Sequence, residues 1–155
     1  MNLQFLGTSS GVPTRQRNVS GLALNPDSQK AWYLVDCGEG TQHQLLRSAY
    51  SLHHLRAILI THLHGDHCYG LFGLLASAAL SGRKQPLTVI APQALQALLQ
   101  QVITTTQLYL DYPLNFIAVE TLTAGWQDDS LRIERIELSH RVPSFAYRFT
   151  EIQGF

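Results

Sequence analysis

Between Thr61 and His67 the chain reads Thr-His-Leu-His-Gly-Asp-His, and His62, His64, Asp66 and His67 all carry metal-ligating groups. In extended backbone, residues i and i+2 point the same way, so His62 and His64 can converge on one ion. Gly65 can take a conformation that other residues avoid, which lets the chain turn and aim Asp66 and His67 at a neighbouring position. Imidazoles with a carboxylate suit zinc best, with manganese or iron as alternatives. An ion of this kind lowers the pKa of bound water to about 7 and makes hydroxide available at neutral pH. The competing reading, a polar loop with chance histidines, does not account for three histidines and an aspartate in this order behind an apolar run. The chemistry that fits is two-metal hydrolysis.

Other groups carry less on their own. His140 follows Ser139 at a strand end and could add a ligand, although a lone histidine is more often structural. His43, His53 and His54 lack ligand spacing; His43 reads as helix surface and the other two as solvated loop. Asp36 closes a strand ahead of Gly38 and Gly40, a turn residue that beside a metal site could orient a ligand histidine. Cys68 adjoins His67, but a buried inert thiol is the plainer reading. Arg15 and Arg17 lie with Pro13 and Asn18 in a loop, and guanidinium forks suit phosphate oxygens; an ordinary solvated loop fits equally well.

The elements that would position these groups follow from periodicity. Leu3 to Leu6 is a first strand, and Thr8 to Asn18 a loop. Leu22–Leu24 and Trp32–Val35 form a hairpin around the Asn25–Ser28 turn. Thr41 caps a short helix through Ala49, and Ile58–Ile60 is a buried strand leading straight into the metal motif. Leu71–Leu80 is an apolar helix stopped at Gly82, and Leu87–Ile90 a strand. Pro92 opens a helix with its stripe at Leu95, Leu98, Leu99, Val102 and Ile103. Leu114–Val119, Leu131–Leu138 and Phe145–Phe149 are further strands, and a phase shift between Ile133 and Ile136 predicts a bulge. The class is α/β with a mixed sheet.

The 155 residues make one domain or part of one; they are 45% hydrophobic, only 14% charged and of zero formal net charge. A real core is expected and disorder is not. An extensive phosphate-binding surface normally shows a basic surplus, so any nucleic-acid site must be local or lie outside these residues. The two cysteines, Cys37 and Cys68, do not make a disulfide framework and point to a reducing cytoplasm. The first residues lack the pattern of a signal peptide, and no run has the length of a membrane span.

Thr61–His67 matches the signature of the metallo-β-lactamase superfamily. Phe5-Leu6-Gly7-Thr8-Ser9-Ser10-Gly11-Val12-Pro13, the following Thr14-Arg15-Gln16-Arg17-Asn18, and Asp36-Cys37-Gly38-Glu39-Gly40-Thr41-Gln42 resemble ribonuclease Z of the short bacterial type, along essentially the whole chain. That family removes the 3′ trailer from precursor tRNA. The resemblance implies a four-layer αβ/βα sandwich of which residues 1–155 are roughly the N-terminal half. It implies two zinc ions, one held by His62, His64 and His140 and the other by Asp66 and His67. Asp66 would also be the proton acceptor, Asp36 would support the metal loop, and Pro13, Arg15, Arg17 and Asn18 would contact the RNA. A homodimer working in the cytoplasm on precursor tRNA, away from membranes, is implied as well. The bridging aspartate, a last metal histidine and the tRNA-gripping arm belong to the family's second half, so residues 1–155 alone should be inactive and should leave the inner face of their sheet uncovered. The alternatives are another phosphodiesterase or hydrolase of the superfamily, and a truncated product that binds without catalysis.

Overall fold

The computed structural model describes residues 1–152. The chain begins with an antiparallel meander of β1 (Asn2–Gly7), β2 (Gly21–Asn25) and β3 (Trp32–Val35). After helix α1 (Thr41–Leu45) it adds β4 (Leu55–Leu59) parallel to β3. Two helices, α2 (Gly65–Cys68) and α3 (Leu71–Leu80), lead to β5 (Leu87–Ala91), and α4 (Ala94–Thr105) leads to β6 (Leu114–Ala118). The six strands form one mixed sheet in the order β1-β2-β3-β4-β5-β6. A second sheet holds β7 (Trp126–Gln127), β8 (Leu131–Leu138) and β9 (Ser144–Glu151).

The parallel strands β4 and β5 are buried on both sides, Arg56 apart, because both sides are covered. One face carries Trp32, Leu34, Ile58 and Val89 against Leu71, Leu74, Leu75, Leu95 and Leu99 of the helices. The other carries Leu24, Tyr33, Leu59 and Ile90 against Leu131, Ile133 and Phe145 of the second sheet. The architecture is helix layer, sheet, sheet. The expected α/β class with a mixed sheet is the observed one.

Several local expectations change. The first helix ends at Leu45 rather than Ala49, and its N-cap is Gly40 in the left-handed region, not Thr41; the Thr41 hydroxyl is buried without a hydrogen-bond partner among the described residues. The bulge in β8 does not exist. The β8–β9 register runs unbroken from Leu131 opposite Glu151 to Leu138 opposite Ser144. The apolar pattern changes face instead: Leu131 and Ile133 point inward, Arg135 follows them over the Phe145 ring, and Ile136 and Leu138 point outward. Only Leu95 and Leu99 of the α4 stripe are fully buried. Strand β7 is too short to leave a periodic signal.

The inner face of the large sheet is not bare, as expected of a lone half-sandwich, because β7–β9 already lie on it. What stays open is its β1 edge. Leu3 and Phe5 pair across β2 with Leu24 and Leu22 and therefore share the inner face, yet they are 58% and 68% exposed. Ile136 and Leu138 leave a second apolar patch on the outer side of β8. Exposed apolar patches of this kind favour association. The isolated 155-residue chain should therefore elute as a self-associated species. The double variant Leu3→Ser/Phe5→Ser should shift it toward monomer without lowering Tm; an unchanged elution volume would show that this edge is not the contact.

Candidate metal centre

The metal motif leaves the end of β4 and is pinned from both sides. From the second sheet, the Phe145 backbone N–H donates to the Thr61 carbonyl at 2.8 Å, and the Tyr147 hydroxyl donates to the Ile60 carbonyl at 2.8 Å. From the first sheet comes Asp36, just past β3. Because Val35 pairs with Leu59 in parallel register, Asp36 falls level with the start of the motif. It adopts φ 60°, a left-handed conformation that aspartate tolerates better than most residues. Its carboxylate is buried and accepts from the Thr61 N–H at 2.8 Å, from the Thr61 hydroxyl at 2.9–3.0 Å and from the Ser20 hydroxyl at 3.4 Å. It also faces His67 Nδ1 at 2.6 Å.

Two ring orientations follow. With Asp36 accepting from His67 Nδ1–H, His67 presents Nε2 as its free nitrogen. The Thr61 hydroxyl has one proton and gives it to Asp36, so its 2.9 Å contact with His62 Nδ1 requires His62 Nδ1–H as donor, and His62 also offers Nε2. Thr61 thus relays the Asp36 charge to a second imidazole. This role of Thr61 was missed at the level of sequence; its one readable trace is a threonine directly before the first histidine.

The structure gathers His62, His64 and His140, whose ligand atoms all lie within 4.8 Å of one another. His140 arrives from the turn between β8 and β9. Asp66 Oδ2 stands 3.4 Å from His67 Nε2, and the His62 and His67 ring centres are 4.0 Å apart, so the pair adjoins the triad. Two nitrogen or oxygen ligands on a tetrahedral zinc are about 3.4 Å apart. The Asp66–His67 pair already has that spacing, and the histidine triad needs only a small contraction. The donor set fits two neighbouring metal ions of the borderline class that imidazole and carboxylate select.

Electrostatics separate the ligands. Burial pushes the His62 imidazole below its ordinary value, and the neighbouring His67, His64 and His140 add to this, so it stays unprotonated and available to a cation. His67 is raised, first by its hydrogen bond to Asp36, against the effect of burial. Burial alone would raise the Asp66 carboxyl, but the Gly11 N–H, which donates to Asp66 Oδ2 at 2.8 Å, and the His67 charge outweigh it and bring it below the usual range.

Gly11 was not singled out by the sequence; its partner lies 55 residues away, beyond any local signal. Through it the Thr8–Asn18 loop touches a metal-ligand candidate directly. Arg15 and Arg17 are exposed, as is Pro13. Asn18 has a different task from Arg15 and Arg17, since its side-chain amide donates to the Glu39 carbonyl at 2.8 Å and ties the loop to the Asp36–Gly40 turn. Gly38 in that turn is required by close approach: a Cβ there would sit 2.3 Å from the Asp66 carbonyl oxygen. Cys68 and Cys37 are both buried, and burial raises both thiols, Cys68 to about 11; neither acts as a ready thiolate ligand. His43, His53 and His54 are exposed and away from the cluster.

Residues 1–145 match the family described as anti-Pycsar protein Apyc1. The chain is 56% identical over 151 residues to ribonuclease Z of Marinobacter nauticus, covering 97% of this chain and 47% of that protein. It is 53% identical over 152 residues to ribonuclease Z of Pseudomonas putida strain GB-1, covering 98% and 47%. The crystal structure of human tRNase Z, short form, superposes with a TM-score of 0.83 at 28% identity, over 97% of this chain and 65% of that one. The metallo-β-lactamase fold protein YhfI of Bacillus subtilis superposes with a TM-score of 0.74 at 21% identity, over 96% and 58%, a likeness of fold. The chain spans about half the length of the curated relatives it matches. Among the described residues no helix is long and apolar enough to cross a membrane.

Two tests follow. Asp36→Ala should weaken zinc binding about 10- to 100-fold and destabilise the metal-free chain by about 2–3 kcal/mol through the donors it strands; unchanged affinity by competition with a chelating dye would remove Asp36 from the site. For His67 the folded value lies above its ordinary 6.5. The stability it gains from Asp36 is then full below about pH 6.5 and fades as pH rises through the raised folded value. In metal-free protein, the loss of stability on His67→Gln should be largest near pH 6 and shrink toward pH 8 in urea melts; a pH-independent or inverted difference would contradict the pairing.

Proposed function

The chain belongs to the Apyc1 family and, as a relative of ribonuclease Z, to the metallo-β-lactamase fold, and from that premise we propose that it forms part of a zinc-dependent endoribonuclease that removes the 3′ trailer from precursor tRNA. The observation that carries the reading is the His62–His64–His140 cluster beside the Asp66–His67 pair. Zinc ions, when bound, supply Lewis acidity toward a phosphodiester and hydroxide at neutral pH, with manganese or iron as chemical alternatives.

The residues divide the work. His62, His64 and His140 would hold one ion, and Asp66 and His67 the other. Asp66, kept ionised by the Gly11 N–H, orients the attacking water and takes its proton. Asp36 fixes the rings of His67 and, through Thr61, of His62. Arg15 and Arg17, exposed on a loop that reaches Asp66 through Gly11, hold RNA phosphates by charge-assisted hydrogen bonds, with Pro13 and Asn18 setting the shape of the loop. A cavity of about 430 Å³ adjoins the Asp36–His67 side of the site, lined by the start of that loop (Thr8, Ser9, Ser10) and by the apolar Phe5, Leu22 and Val35. Cleavage on the trailer side leaves a 3′ hydroxyl on the tRNA and a 5′ phosphate on the trailer.

Residues 1–155 supply the N-terminal half of the metal site in this reading. A dinuclear site missing a bridging carboxylate and a further histidine loses affinity and geometry together. The working form is a cytoplasmic homodimer of the longer polypeptide. A second reading, a phosphodiesterase acting on a smaller substrate, shares the metal residues but gives Arg15 and Arg17 no task.

In the longer polypeptide, Arg15→Ala and Arg17→Ala should reduce precursor-tRNA cleavage by about tenfold or more while sparing an aryl phosphodiester, and should flatten the salt dependence of RNA binding by about one unit of slope each. Equal losses on both substrates would make the loop structural and favour the second reading. The 155-residue chain loaded with zinc should bind fewer than two ions tightly and should not cleave precursor tRNA; two tight ions with trailer cleavage at the rate of the longer protein would overturn the division of the site.

A further inference from the structure

At the opposite end of the large sheet from the metal ligands, a cavity of about 540 Å³ opens where β3, β4 and β5 begin. The five residues of β4 put it about 17 Å from the metal loop. Its lining is strongly cationic for a chain of zero net charge: Lys30, Arg56 and Arg83, with His53 and His54 beside them.

Arg83 is the built part of this cavity. It is 1% exposed, and its guanidinium is held by four backbone carbonyls, of Gln85, Leu52, Leu55 and Pro86, at 2.5–2.8 Å. Among the described residues no carboxylate forms an ion pair with Arg83, Arg56 or Lys30. Burial pulls the Arg83 guanidinium below its ordinary range, and repulsion from Arg56 adds to this. The one acidic group in the lining is Asp128, and its oxygens are already taken by the Tyr33 hydroxyl and the Ser130 and Leu131 N–H groups. The carbonyls satisfy most of the Arg83 N–H donors but leave its positive charge without a paired carboxylate among the described residues, so the cavity presents a net positive field.

Size and lining narrow the anion. The volume is that of pockets for drug-sized ligands, far beyond one inorganic phosphate. Trp126, half-buried with its ring edge-on to Tyr33 at 6.5 Å, lines the same cavity with Pro86 and Ala31, and an indole is a platform on which a nucleobase stacks. We propose that this cavity is a nucleotide site separate from the metal centre, in which Arg56, Lys30 and the charge of Arg83 take the phosphate and Trp126 takes the base. His53 and His54 supply further donors at the rim. Arg56 is exposed on a strand whose other residues are buried, so its charge can be reversed without disturbing the core.

The test is calorimetry on the metal-free 155-residue chain in chelator at low salt, with adenosine 5′-monophosphate, adenosine and inorganic phosphate as probes. The monophosphate should saturate one site per chain, with adenosine and phosphate each about tenfold weaker or more. Arg56→Glu and Lys30→Glu should each weaken the monophosphate by about tenfold with unchanged Tm, Trp126→Ala should lessen the preference over inorganic phosphate, and His62→Ala/His64→Ala should leave binding intact. Absence of saturation at about 10 mM, indifference to Arg56→Glu, inorganic phosphate as tight as the nucleotide, or loss of binding in the His62→Ala/His64→Ala variant would each overturn the proposal. None of these outcomes depends on nuclease activity, so failure here and failure of the ribonuclease reading remain distinguishable.

Discussion

Everything in the site leans on one buried carboxylate. Asp36 accepts hydrogen bonds from Thr61, Ser20 and His67 and is reached only because β3 and β4 run parallel and in register. A buried carboxylate of this kind is tolerated when its oxygens are satisfied. Satisfying them fixes the backbone at Thr61 and the ring of His67, and through the Thr61 hydroxyl the ring of His62. Replacing Asp36 by a residue of similar size but no charge would keep the packing and lose the proton order. The strand pairing, the turn at Gly38 and the close contact of that turn with Asp66 are the conditions under which this one group can act.

How much could be read from the sequence depends on the range over which each feature is specified. The metal motif is written in consecutive residues, and its extended start followed by a glycine turn needs no tertiary information. The buried strands around Ile58 and Val89 and the α3 helix are mostly apolar and equally local. Other features turned on competition between distant parts. The Leu131–Leu138 pattern predicts a bulge because alternation seemed to break, but two apolar residues were destined for one face and two for the other while the pairing stayed regular. Leu98 belongs to the helical stripe and is still 47% exposed, while Leu95 and Leu99 beside it are buried. Gly40 took the cap from Thr41 because the preceding turn arrives in a left-handed conformation. The contact of Gly11 with Asp66 and the carbonyl cage around Arg83 have no sequence signature, because each arises from loops that meet only in the folded chain.

The charge balance also takes on meaning only in three dimensions. Zero net charge argued against an extensive nucleic-acid surface, yet the positive groups are not spread evenly. Arg15 and Arg17 stand on the loop beside the candidate metal ligands, and Lys30, Arg56 and Arg83 line the far end of the same sheet. The acidic residues offset them elsewhere: Glu134 pairs with Arg148 and Arg132, and Asp111 with Lys84. Such exposed pairs contribute little to stability, but they neutralise the cations that would otherwise smear the field. Local fields at the two ends of the sheet then survive in a neutral molecule.

His140 couples the site to the assembly of the two sheets. The other ligand candidates lie within the eight residues that follow β4, whereas His140 comes from the β8–β9 turn and reaches the cluster only when the second sheet is docked. That docking is held by the Leu131, Ile133 and Phe145 contacts with the first sheet and by two hydrogen bonds, Tyr147 to Ile60 and Phe145 to Thr61. These hydrogen bonds end on the very backbone that carries the first histidine. Any ion that prefers the three-histidine arrangement must therefore also prefer the docked sheets, by the same free energy, because ligand binding to one state and the population of that state are linked. Conversely, loosening β8 and β9 withdraws His140 from the cluster without touching the motif. The metal loop is thus rigid for a local reason, Asp36, and complete for a global one, the packing of the second sheet over Leu59 and Ile90.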